Sequence, residues 1–260
     1  MKLSIVIPVY NSSKILHTLL NNIQQCVADD IKDFEVILVN DFSKDDSWEK
    51  IKELKKRYSY IKGISLKKNY GQHSAIFCGL KNCRGENILC MDDDMQHDPK
   101  YILNMLTELN QNDVCYVKYK KRKHNYLKIF VSKLNNYVSS FLMEKTFNIY
   151  TSSFKCFRKE ISDKIITNDE SFIFLDYWIF KFAKKITFIE VTHNERLHGK
   201  TNYGFKELLT LWSKMIFLID VKKDTMRFYL LQIIKGFFKV FLKNYISYKK
   251  KDKIEVTEII

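Results

Sequence analysis

Three adjacent carboxylates, Asp92-Asp93-Asp94, directly follow the apolar run Asn87 to Met91. Like charges this close repel one another, and a divalent cation relieves the repulsion. Mg2+ and Mn2+ take oxygen ligands, commonly one or two carboxylates shared with substrate phosphates. Side chains alternate along an extended segment, so Asp92 and Asp94 can face one ion, and Gln96 continues the spacing with a carbonyl oxygen. A solvated acidic loop is the other reading of the same triplet.

Further groups lie at comparable positions. Asp41 follows the apolar run Phe34 to Val39, where an acid can accept hydrogen bonds from a base or ribose; with Ser43 and Asp45 nearby it can equally cap a helix. Asn69-Tyr70-Gly71-Gln72 precedes a helical pattern, and Gly71 permits either a close backbone approach to a ligand or a plain turn. Arg196 and Gly199-Lys200-Thr201-Asn202-Tyr203 form a polar loop whose cations can close over phosphates, or simply be solvated. Asp176 sits among Phe174, Leu175, Tyr177 and Trp178, where a carboxylate can serve as a base or be capped and ion-paired. His73, His97, His193 and His198 show no metal-ligand spacing, and none is assigned a catalytic role.

The elements that must position these groups alternate. Leu3 to Val9, Phe34 to Val39, Ile61 to Leu66, Asn87 to Met91 and Val114 to Val117 read as buried strands; helices are predicted at Ile15 to Val27, from Ser43 through Leu54, at Gln72 to Cys83 and at Pro99 to Leu109. Such alternation implies βαβ units in a mostly parallel sheet with helices on both faces. Ligands then bind beyond the carboxyl ends of the strands, which directs attention to Tyr10-Asn11, Asn40-Asp41 and the acidic triplet. Later, a helix at Lys128 to Met143, strands at Ser153 to Phe157 and Thr187 to Val191, and a helix near Phe172 to Lys184 are expected. From Lys206 onward the pattern is helical and amphipathic. Lys235, Lys239 and Lys243 make a basic stripe suited to an anionic membrane surface, or to a solvated helix edge.

The 260 residues are 46% hydrophobic and 28% charged, with 7 Gly and 2 Pro, which excludes collagenous and low-complexity designs. The net charge of +14 is uneven. Residues 1–117 carry 15 Lys/Arg against 16 Asp/Glu, and residues 118–260 carry 29 against 14. The second part is thus suited to an anionic partner. No secretory signal or membrane-spanning run is evident, and six Cys without a C-x-x-C pair fit a reducing cytoplasm. The dinucleotide and P-loop glycine patterns are absent. No helix-turn-helix, zinc-finger or RNA-binding signature accompanies the basic charge, which sets a nucleic-acid-binding module below the alternatives.

Taken together, these residues resemble glycosyltransferase family 2 with its GT-A fold, and more narrowly the branch containing dolichol-phosphate mannosyltransferase and the bacterial polyprenyl-phosphate sugar transferases. The resemblance rests on Ser4 to Asn11, Val39 to Ser43, Asn69 to Leu80, Met91 to Pro99, Ser152 to Arg158 and Arg196 to Tyr203, in that order. It implies an α/β, Rossmann-like mostly parallel sheet flanked by helices: a nucleotide-sugar-binding half at 1–117, an acceptor-binding half at 118–220 and basic amphipathic helices at 221–260. It implies an inverting transfer from a nucleotide sugar, UDP-linked or else GDP-linked, to a lipid-linked acceptor at the inner face of the cell membrane. Pro8, Tyr10, Asn11, Asp41, Asn69, Gly71, Gln72, Asp92, Asp93 and Lys200 would bind the donor. Asp92, Asp94 and Gln96 would hold Mg2+ or Mn2+, Arg196 would neutralise the diphosphate, Arg122 and Lys128 would meet the acceptor, and Asp176 would be the base where one is required. Asn40, Phe42 and Ile149 depart from the family pattern, so an inactive scaffold is a further reading.

Overall fold

The computed structural model describes residues 1–119, 151–167, 174–191, 232, 234–236 and 254–260. β1 (Leu3–Val9) is buried at every position, as a strand covered on both faces requires. It is followed by α1 (Leu16–Val27), β2 (Phe34–Asn40), α2 (Ser47–Arg57), β3 (Ile61–Leu66), α3 (Gln72–Leu80) and β4 (Asn87–Cys90). A 3-10 turn at Pro99–Tyr101 leads into α4 (Ile102–Glu108) and β5 (Val114–Tyr119). Then come β6 (Lys155–Arg158), α5 (Lys159–Ile166), α6 (Leu175–Phe182), β7 (Ile186–Val191) and, at the end of the chain, β8 (Val256–Ile259).

The strands form one eight-stranded sheet in the order β7-β5-β6-β4-β1-β2-β3-β8. β1 pairs in parallel with β2 and β4, β2 with β3, and β5 with β7, while β6 and β8 run antiparallel to their neighbours. Odd residues of β1, with Leu16, Leu19, Leu20 and Ile23 of α1, build the core on one face. Val6, with Ile76, Phe77 and Leu80 of α3 and Ile161, Ile165 and Ile179 of α5 and α6, builds the core on the other. Both faces are thus covered by helices, and the carboxyl ends of β1 to β4 share one edge.

Three expectations need correction. The second helix begins at Ser47, not Ser43, because Ser43 Oγ accepts the Asn11 N–H at 3.0 Å and is engaged in the neighbouring loop. A helix at Lys159–Ile166 was not foreseen. Residues 256–259 form a strand, where the sequence suggested a helical tail to the end. That strand is fastened by Trp48 Nε1 donating to Glu258 at 3.0 Å and by an ion pair of Lys67 with Glu255. The helices expected at 128–143 and from 206 onward lie outside the described residues, apart from a few positions such as Lys235, which is helical.

Candidate functional site

The loop after β1 is tied to the loop after β2 by paired hydrogen bonds. The Asn11 N–H donates to Ser43 Oγ, and the Lys44 N–H donates to Asn11 Oδ1 at 2.7 Å. Asn40 accepts from the Ser43 N–H and donates through Nδ2 to Ser65 on β3, a donor function an aspartate at this position would lack. Asn11, Phe42 and Met95 have φ of +56°, +59° and +64°, one in each loop after β1, β2 and β4. Backbone of this kind costs non-glycine residues about 1–2 kcal/mol each and is found preferentially at functional sites.

Asp41 is only 3% exposed. Its Oδ1 accepts the Tyr70 N–H at 2.7 Å and its Oδ2 the Gly71 N–H at 2.8 Å. Asp41 thereby orients the 69–71 loop at the edge of the site. Gly71, at φ +88°, closes that loop onto α3 in a conformation only glycine adopts without strain. Gln72, the first residue of α3, donates from Nε2 to Asp92 Oδ1 in a short hydrogen bond.

The acidic triplet divides its labour. Asp93 turns toward the β1 loop, accepting from the Tyr10 N–H at 3.1 Å and Ser12 Oγ at 2.5 Å. Burial pushes its carboxyl up to about 6; the Ser12 and Tyr10 hydrogen bonds oppose this, and the neighbouring Asp92 and Asp94 add to it. It cross-links the two loops. Asp92 and Asp94 remain partly exposed, with Gln96 beside them. Asp94 Oδ1 accepts the Gln96 N–H at 3.1 Å. Among the described residues no cluster of three or more His, Cys, Asp or Glu side chains could hold a metal ion. Two carboxylates and an amide carbonyl are nevertheless what Mg2+ or Mn2+ uses when phosphates complete its shell, so this donor set fits an ion shared with a diphosphate.

Pro8 is buried inside β1. The Met91 N–H donates to the Val6 carbonyl, so the even residues of β1 present their backbone to β4. The β4 ladder ends at Cys90, opposite Val6, so the N–H missing at Pro8 costs no hydrogen bond. Tyr10, 39% exposed, and Asn69, also exposed, stand open at the site edge.

Asp176, 6% exposed in the first turn of α6, is ion-paired with Lys155 of β6 and accepts from the Tyr116 hydroxyl of β5 at 2.8 Å. This is the ion-paired alternative. Arg122, Lys128, Arg196 and Lys200 lie outside the described residues.

Two site residues escaped the sequence reading. β6 runs antiparallel to β4, so the segment just before it arrives at the same edge as the acidic loop. Ser153, on that segment, donates from Oγ to Asp92 Oδ2 at 2.7 Å. His97 accepts the Asp92 N–H on Nδ1 at 2.9 Å. No spacing rule signals either contact, because both depend on strand direction and loop closure.

Residues 4–166 match the model of Glycosyl transferase family 2. An undecaprenyl-phosphate 4-deoxy-4-formamido-L-arabinose transferase of Aeromonas hydrophila is 30% identical over 219 residues, covering 82% of this chain and 66% of its own length. The transferase of the same name from Shewanella sediminis is 31% identical over 210 residues, covering 80% and 63%. The chain thus spans just under two thirds of the length of these relatives. Among solved structures, glucosyl-3-phosphoglycerate synthase of Mycobacterium tuberculosis with Mn2+ and UDP-glucose superposes with a TM-score of 0.60 at 14% identity, over 86% of this chain and 80% of that one. S. aureus TarS 1-349 with UDP-GlcNAc gives 0.53 at 23% identity, over 96% and 76%. At these identities the likeness is one of fold, and the fold is GT-A.

Proposed function

From the chain's membership of glycosyltransferase family 2, we propose that it transfers a glycosyl group from a nucleotide sugar to a polyprenyl phosphate. The observation that carries the reading is the linkage of the loops after β1, β2, β3 and β4 beside the acidic triplet, with Asp93 bonded to the β1 loop and Asp92 to Gln72. The relatives named as undecaprenyl-phosphate transferases support the acceptor class.

In this reading Tyr10, Asn11, Asn69 and Gly71 border the nucleotide. Asp92, Asp94 and Gln96 would hold Mg2+ or Mn2+ against the donor diphosphate, where a divalent ion supplies charge stabilisation for the departing nucleoside diphosphate. Arg196 and Lys200 are proposed to neutralise the same group, and Arg122 and Lys128 to receive the acceptor phosphate. The acceptor oxygen attacks the anomeric carbon from the face opposite the leaving group, so configuration is inverted. A phosphate monoester is already anionic and needs no general base, which agrees with the engagement of Asp176 by Lys155.

No helix among the described residues is long and apolar enough to cross a membrane. The positive excess of residues 118–260 supports peripheral attachment to the anionic inner face of the cell membrane. A panel of UDP-, GDP- and dTDP-sugars, incubated with undecaprenyl phosphate and Mn2+ or Mg2+ and followed by nucleotide release, tests the reading. Turnover with one donor is expected, and it should vanish in the Asp92→Ala, Asp94→Ala double variant. Retained turnover in that variant removes the metal role, and no turnover or binding with any donor leaves the scaffold reading.

A further inference from the structure

We propose that Ser153 and His97 form a bracket that fixes the Asp92 carboxylate for cation binding, which makes them positioning residues. The inference rests on the metal-dependent transfer proposed above and adds to it the groups that aim its first ligand. Asp92 is approached from three parts of the fold. Gln72 at the start of α3 holds Oδ1, and Ser153 from the segment before β6 holds Oδ2 at 2.7 Å. His97, five residues on in the same loop, accepts the Asp92 backbone N–H on Nδ1 at 2.9 Å.

That last contact fixes the direction of the rest. An Nδ1 that accepts carries no proton, so the neutral ring is protonated on Nε2. Nε2 lies 3.4 Å from Ser153 Oγ and 3.7 Å from Asp92 Oδ2. The ring therefore donates toward the serine oxygen, and the serine hydroxyl donates in turn to Asp92. With Nε2 donating, the serine hydroxyl satisfies both neighbours only by donating to Asp92.

The ring itself cannot turn to break this order. His97 is 5% exposed and stacked on Phe154, with centroids 4.9 Å apart and planes 10° apart, and it lies at 6.4 Å and 19° from the Tyr119 ring. Phe154 is fully buried and follows Ser153 directly, so the same segment supplies both the hydroxyl and the surface that holds the imidazole. A carboxylate on a loop would otherwise rotate about its last bond. Hydrogen-bonded as here, it keeps its outward lone pairs in one direction. Partners standing behind metal ligands commonly govern affinity by 10- to 100-fold.

The test is Mn2+ binding to the full chain without donor or acceptor, read as loss of the free-ion signal in electron paramagnetic resonance. Ser153→Ala should weaken Mn2+ binding about tenfold with its melting temperature close to that of the unsubstituted chain. Ser153→Thr keeps the hydroxyl and should restore binding. His97→Phe keeps the stacking and removes both nitrogens, and it should weaken binding at least as much as Ser153→Ala. Ser153→Ala that binds Mn2+ as tightly as the unsubstituted chain overturns the inference, and so does Ser153→Thr that binds as weakly as Ser153→Ala. An unsubstituted chain that binds no Mn2+ either alone or with UDP, or binds it equally well after Asp92→Ala, overturns the metal reading and this inference together. Binding that is sensitive to Asp92 but indifferent to Ser153 and His97 overturns this inference alone.

Discussion

Lys155 and Asp176 are nearly as buried as any apolar residue in the sheet, at 2% and 6% exposure, and they face each other across β6 and α6. Two charges at such depth are costly to desolvate and compensate for this only as a pair, with Tyr116 completing the carboxylate's hydrogen bonds. Removing one member leaves the other uncompensated. Lys155→Met should therefore destabilise the chain by about 3–5 kcal/mol. Replacing the whole group, as Lys155→Met, Asp176→Leu and Tyr116→Phe, should recover most of that loss. Urea denaturation of the two variants makes the comparison, and a Lys155→Met variant as stable as the unsubstituted chain would show that the pair is not buried as described. Sequence patterning found Asp176 because an acid among aromatics is conspicuous. It left two roles open, since the lysine that decides between them is 21 residues away. The same reasoning explains the acidic triplet. Its three carboxylates are evident from composition, but the division into Asp92 held by Gln72 and Ser153 and Asp93 turned to Ser12 depends on a loop closed across 81 residues.

The elements repeat this pattern. The parallel strands were legible because burial on both faces makes them continuous apolar runs, and their helices were legible from 3.6-residue spacing. β6 was placed within two residues, yet its antiparallel direction, which delivers Ser153 to Asp92, is written nowhere in its own composition. β8 follows a run of lysines and is exposed along its length, so neither burial nor alternation marks it as a strand. Gly79 shows packing overruling local preference. Helix propensity alone favours alanine over glycine within α3 by about 1 kcal/mol. A Cβ at Gly79 would, however, stand 2.4 Å from Val6 Cγ1 and 3.3 Å from Val39 Cγ2, where α3 lies against β1 and β2. Valine is stiff at χ1 and Val6 is fully buried, so neither side can yield cheaply. Gly79→Ala should lower stability by about 1–3 kcal/mol, the range for overpacking. A rise in melting temperature instead would mean that α3 sits farther from the sheet.

At the scale of the whole molecule, two electrostatic effects oppose each other as pH rises. The net charge of +14 diminishes toward the isoelectric point near 9.3, which relieves repulsion and favours the folded chain. Buried acids act the other way. Burial pushes the thiols of Cys90 and Cys115 up to about 12, that of Cys78 to about 11, and the Tyr60 hydroxyl to about 12. Burial also raises Cys156 and Tyr116 well above their ordinary values, Tyr116 with the Asp176 charge beside it as an added cause. In the unfolded chain these groups release their protons at ordinary values, 9.0 for thiols and 10.0 for phenols. Below pH 9 both states hold the protons and the contribution is fully present. Between pH 9 and 12 the unfolded chain binds fewer protons than the folded one, so stability falls with pH. Each group that is ionised only in the unfolded chain contributes about 1.4 kcal/mol per pH unit. The surface term is screened beyond about 8 Å in 0.15 M salt, whereas the buried thiols are out of reach of counterions. The buried term should therefore win. In 0.15 M salt the melting temperature should stay level from pH 7 to 8.5 and fall steadily from 9 to 12. At pH 8 iodoacetamide should modify the partly exposed Cys26 well before Cys90, Cys115 or Cys156. A melting temperature that holds or climbs through pH 11 would mean that the central strands admit water to their thiols, and that the sheet supporting Asp92 is looser than its packing indicates.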